Sequence, residues 1–224
     1  MVVTDTGRLT LSGGIKPCSL AVQDMCYWSG RSPATVIEMR SYRFAAIFGF
    51  VGLLSALPAS AEIQKFMNPC DRKMCAFFRA SITLPDGWVE DKEATKYFNS
   101  QFLLPKGVDF DSAQAKIYVV VRFNRNKQPI SDFMPDAIAD WRSRAKDAKI
   151  TRLEDLPRGD GKSVFERRQF EAKSLKEQGY ELQSVTTDGD KDGNEFIVTI
   201  TLSANSREAL QAAEPAYLAI LRKY

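Results

Sequence analysis

Histidine is missing from all 224 residues of the chain, and that absence removes whole classes of chemistry. Without an imidazole there is no Ser-His-Asp or Cys-His pair, no ordinary zinc hydrolase site and no haem on a proximal histidine. A C-x-x-C pair is missing too, which removes the usual dithiol exchange geometry. Asp5-Thr6-Gly7 has the look of an aspartic-protease loop, but no second D-T-G or D-S-G occurs to share its proton. Carboxylate-only chemistry survives, with glycoside hydrolysis as its main form. It requires two acids facing each other across a cleft, and the scattered Asp and Glu of this chain read as solvated surface groups.

The chain also lacks an apolar run long enough to span a bilayer, which takes about 20 residues. Its best candidate is FAAIFGFVGLLSA, Phe44 to Ala56, preceded by Met39, Arg40 and Arg43 and followed by Pro58, Ala59 and Ala61. A positive start, a short apolar core and an A-x-A end are the marks of a cleavable signal peptide over residues 39–61, cut after Ala61. The mature chain then begins at Glu62 and works in the periplasm or outside the cell, with no stable membrane anchor after cleavage. Residues 1–38 are expected to be a disordered extension added by a start codon assigned too early, because an export signal works poorly some forty residues into a chain.

Residues 62–224 are the size of one domain with a single core. Of the 31 basic and 28 acidic residues, five and three precede Glu62, which leaves 26 against 25. A nucleic-acid binder usually carries a basic excess that displaces counterions from phosphates, and the mature chain has none. Cys18 and Cys26 fall in the extension before Met39, whereas Cys70 and Cys75, in CDRKMC, form an even pair in an oxidising compartment. A small Cys70–Cys75 disulfide loop is expected; two free thiols are the alternative.

Periodicity in the mature chain is mostly that of strands. Strands are expected at Phe77–Leu84, Tyr97–Leu104, Ala115–Phe123, Lys149–Leu156, Ser163–Ala172, Tyr180–Thr187 and Glu195–Ala204, the last two forming a hairpin. The AKIYVVVRF strand should be central, because the residues alternating with Ile117, Val119, Val121 and Phe123 are also mostly apolar. Ser131 is expected to cap a helix through DFMPDAIADWRSRAKDA, with Trp141 packed on the sheet. Asn205 and Glu208 suggest a capping box for a final helix whose Leu210, Tyr217, Ile220 and Leu221 face the core, with a bend near Pro215. The order predicts an α+β domain, an antiparallel β-sheet flanked by helices.

The sequence SITLPDGW, the QFLLPKG strand end, the AKIYVVVRF strand leading to a helix, the late hairpin and the SREALQAAEPAYLAILRKY helix together resemble the Mog1/PsbP-like superfamily, including its small DcrB-like exported bacterial members. The resemblance covers nearly the whole mature domain. It implies an antiparallel sheet with helices on both sides and a non-enzymatic role: binding another protein, assisting assembly, or shielding a hydrophobic segment. It brings no catalytic residues and no cofactor.

Two local features are candidate sites. In TDGDKDGNE, Asp188, Asp190 and Asp192 followed by Gly193 match the first half of a calcium loop. Position twelve would be Thr199, which supplies no bidentate carboxylate, so any calcium there should be weak, and Asp-Gly is equally the chemistry of a hairpin turn. Arg122, Arg125 and Lys127 in RFNRNK, with Arg167 and Arg168 in FERRQF, could meet carboxylates or phosphates of a partner; a solvated charged loop is the plainer reading. The expectation is an exported non-enzymatic binding or accessory protein, chaperone-like or inhibitor-like, acting on a protein partner in the periplasm. A carboxylate-only hydrolase such as a glycosidase, and a weak calcium or small-molecule binder, are the alternatives.

Overall fold

A computed structural model describes residues 62–70 and 73–224, with positions 70 and 73 described by their backbone alone. The signal peptide expected at residues 39–61 and the extension expected at residues 1–38 lie outside the described residues. Those described belong to one compact unit, an α+β fold built on a large antiparallel sheet with three helices.

The sheet is ordered by its longest strands. β5 (Ala115–Phe123) and β10 (Glu195–Ala204) pair along nine residues, and β9 (Tyr180–Gly189) continues on the other side of β10. Both β5 and β10 follow the expected bounds, and β5 is central. Beyond β9 lie β8 (Val164–Glu171) and then β6 (Lys149–Arg152), with the two-residue β7 (Leu156–Pro157) also on β8. The far side of β5 is shared. β4 (Gln101–Pro105) pairs with its Ile117–Val119 segment, while β2 (Lys73–Ala80) meets it at Phe78 opposite Val121. β1 (Ile63–Cys70) pairs with β2, and β3 (Trp88–Glu90) with β4.

Side chains alternate across this sheet with period two, so each strand supplies both faces. One face carries Ile117, Val119, Leu182, Phe165, Phe196, Val198, Ile200 and Leu202, and against it lies α3 (Arg207–Lys223) through Leu210, Ala213, Tyr217, Ile220 and Leu221. These helix positions recur at intervals of three and four, as one buried stripe requires. The Tyr217 hydroxyl, fully buried, donates to Ser184 Oγ at 2.5 Å, which removes the cost of carrying a phenol into the core. The other face is covered by α2 (Ile130–Arg144), whose buried anchors are Met134 and Trp141. Trp141 stacks on Phe170 of β8 at 5.2 Å, so it does pack on the sheet.

Several expectations require correction. The first half of the predicted Tyr97–Leu104 strand is helical: α1 (Lys92–Phe98) starts at Asp91, whose side chain accepts from the Ala94 amide, and ends at Asn99 with φ 52°. Asparagine tolerates that left-handed conformation, and strand geometry begins only afterwards. β2 lies earlier than Phe77–Leu84, and β6 stops at Arg152. Ser131 is not the α2 cap. Pro129 holds that position, with extended backbone and no side-chain hydrogen bond. At α3 the cap is Ser206, whose hydroxyl accepts from the Ala209 amide at 3.1 Å; Asn205 is used elsewhere, accepting from the Gln178 amide. α3 continues through Pro215 as one element.

Candidate functional site

The arginine-rich residues singled out in sequence are dispersed by the sheet. Arg167 and Arg168 are neighbours in β8, so they point to opposite faces: Arg167 shares the α3 face with Phe165, whereas Arg168 shares the α2 face with Phe170 and Glu166. Arg122 stands on the α2 face, opposite Ile197, with its guanidinium 5.1 Å from the Phe133 ring centre of α2. Arg125 and Lys127 are exposed in the β5–α2 loop. That loop is shaped by buried Asn124, whose amide donates to Gln128 O at 2.8 Å and to Glu195 Oε1 at 2.5 Å while its oxygen accepts from the Gln128 amide. The five cations do not make one patch.

The three aspartates of the β9–β10 turn are likewise separated. Asp188 accepts from the Tyr224 hydroxyl at 2.7 Å and lies 3.3 Å from Arg158, whose buried guanidinium also meets Asp160 at 2.9 Å. Asp190 accepts from the amides of Asp192 and Asn194 and from the Asn194 side chain, which holds its carboxyl below the usual range despite an opposing effect of burial. These bonds close the hairpin turn. Among the described residues no group of three or more acidic, cysteine or histidine side chains is placed to hold a metal ion, and no helix is long and apolar enough to cross a membrane. Lys127, Arg158, Asp160 and Asp188 border a cleft of about 330 Å³ beside this turn. Its central guanidinium is already matched by two carboxylates.

Cys75 is half-buried in β2 opposite Asn68, and position 70 is opposite position 73. Positions 70 and 75 are therefore diagonal neighbours on one side of the hairpin. The Cys70 side chain falls outside the described residues.

Two features that sequence reasoning did not single out are brought together on the α2 side. The first is a run of aromatic rings. Tyr97 meets Phe98 edge-on at 4.8 Å, Phe98 contacts Phe102 and Phe110 at 5.1 and 5.7 Å, and Phe102 stacks on Tyr118 at 5.4 Å. Tyr97 is 79% exposed and Phe98 40%. α1 supplies the outer pair, β4 and β5 the inner pair. The Lys116 ammonium sits 4.0 Å from the Phe110 ring centre, and burial pulls its pKa down against the charges of Asp111 and Glu177.

The second is Glu181 of β9, only 3% exposed. Tyr118 joins the two features, because its hydroxyl reaches Glu181 Oε1 at 3.4 Å. Burial pushes the Glu181 carboxyl up to about 7, against the Arg144 charge and a hydrogen bond from the Trp141 side chain. The groups facing it are thus the hydroxyls of Tyr118 and Ser203, an indole and a guanidinium, which differs from the facing pair of acids that glycoside hydrolysis uses.

Comparison with protein-family models and with curated proteins finds no match.

Proposed function

We propose that the chain is an exported, non-enzymatic binding or accessory protein of Mog1/PsbP-like fold. It acts in the periplasm on a protein partner, chaperone-like or inhibitor-like, and engages an apolar segment of that partner through the aromatic surface of α1, β4 and β5. The supporting observation is the continuous ring path from exposed Tyr97 and Phe98 to Phe102 and Tyr118. Exposed aromatic rings packed on one another form a rigid contact surface whose side-chain entropy is already reduced, and aromatic residues supply most binding hot spots. The lysine at its edge adds a partly desolvated charge. A nearly balanced mature charge speaks for a protein partner over nucleic acid.

Affinity capture of the processed protein from a periplasmic extract should recover a stoichiometric companion, and Tyr97→Ser with Phe98→Ser should lose it while leaving the fold intact by circular dichroism. Equal recovery by the folded double variant would refute the assignment of this surface.

A further inference from the structure

α2 is seated on the sheet at its two ends. Toward its start Met134 packs with Val185 and Ile197. Toward its end Trp141 and Ala145 pack with Phe170 and Ala172. These two apolar patches are separate from each other and from the core that α3 covers on the opposite face. Between them the sheet is polar. Its register lays Tyr118, Thr201, Gln183 and Arg168 in one row across β5, β10, β9 and β8. Thr201 Oγ1 and Gln183 Oε1 are buried there without a hydrogen-bond partner. Such atoms cost about as much as a lost hydrogen bond and would recover it from water if the helix lifted.

Glu181 occupies the next row, between Ser203 of β10 and Phe170 of β8. The groups that favour its charged form are the Arg144 charge, the side chain of Trp141, which is one of the two buried anchors of α2, and the hydroxyls of Ser203 and Tyr118. The charged and titratable groups on its sides are Arg144 of α2, itself 3.1 Å from Asp140, with Lys116 and Tyr118 of β5, and Arg168 of β8, itself 3.9 Å from Glu166.

We infer that α2 is a reversible cover whose seating is governed by the charge on Glu181: docked over the protonated acid, loosened over the carboxylate. A buried carboxylate is strongly disfavoured unless its hydration is replaced. Hydrating Glu181 by unfolding the sheet would break the α3 core, whereas lifting α2 leaves that core in place and opens the two smaller apolar patches and the Arg122–Phe133 contact. The local route is therefore the cheaper one, as in other sub-global openings. Because burial holds the group near 7, the changeover falls in the neutral range. Its readout involves no partner, so it stands or falls independently of the binding role.

Hydrogen exchange of the processed protein, followed by mass spectrometry and corrected for the intrinsic effect of pH, tests this. Protection of the α2 amides should fall on the order of tenfold or more from pH 5 to 8, levelling above about 7, while β10 amides keep theirs. Glu181→Gln should give a flat profile. Trp141→Phe keeps a ring on Phe170 but removes the indole donor that favours the carboxylate, so it should move the midpoint to higher pH. Wild-type α2 protection that tracks Glu181→Gln at every pH, a loss shared equally by β10, or an unmoved midpoint in Trp141→Phe would each overturn the inference.

Discussion

Tyr118 hydrogen-bonds to buried Glu181 through its hydroxyl and stacks on Phe102 through its ring. One side chain thus spans the interior polar row and the exposed aromatic surface. Removing only the hydroxyl separates the two. Tyr118→Phe should leave the ring stack in place and push the Glu181 pKa further up, since a donor to the carboxylate is lost. Nuclear magnetic resonance titration of the Glu181 carboxyl carbon would measure it; a midpoint equal to or below the wild-type one would refute the link.

Stability should fall as pH rises through neutrality. The Glu181 carboxyl is raised from 4.5 to about 7 in the fold, so the folded state binds the proton more tightly than the unfolded one. Its contribution is complete below about 4.5 and is lost on passing about 7, amounting to about 3 kcal/mol. Urea denaturation at a series of pH values should show Glu181→Gln more stable than the wild type at pH 8 and close to it at pH 4.5. Parallel curves for the two proteins would contradict this.

How much of this was legible in the sequence depended on whether a face was apolar. β5 and β10 could be bounded from their alternation, and the buried stripe of α3 from its spacing, because those side chains meet the main core. The α2 face was not legible: Thr199, Thr201 and Ser203 alternate in β10 as a solvent-facing strand would, yet all three are buried. Glu181 went unnoticed for the same reason. Tyr97 and Phe98 looked like the start of a strand because aromatics favour strands, and the seven-residue helix that carries them is too short to show a period. Pairing Arg167 with Arg168 ignored the alternation that separates neighbours in any strand.

The end of α3 is fixed by a close backbone approach. A Cβ added at Gly159 would lie 2.7 Å from the carbonyl oxygen of Arg222, inside any normal contact. Gly159→Ala should destabilise the fold by about 1–3 kcal/mol, the usual cost of overpacking. Tyr224→Phe, which removes the bond to Asp188 but leaves that carboxylate beside Arg158, should cost about 1 kcal/mol. Thermal denaturation of both variants would check the order, which a larger loss in Tyr224→Phe would reverse.

The hairpin of β1 and β2 is proposed to carry a Cys70–Cys75 disulfide. In the chain-entropy picture so short a loop stabilises by about 2 kcal/mol. Peptide mapping without reductant should recover the two cysteines in one linked fragment, and reduction should lower the denaturation midpoint. Two separately alkylated thiols in the native protein would remove the bridge.

A photo-crosslinking amino acid placed at position 97, and at exposed position 176 for comparison, tests the proposed binding role most directly. Irradiation in intact cells should yield a discrete protein adduct from position 97 and none from 176. No adduct at 97, or the same adducts from both positions, would contradict the assignment of the aromatic surface to a protein partner.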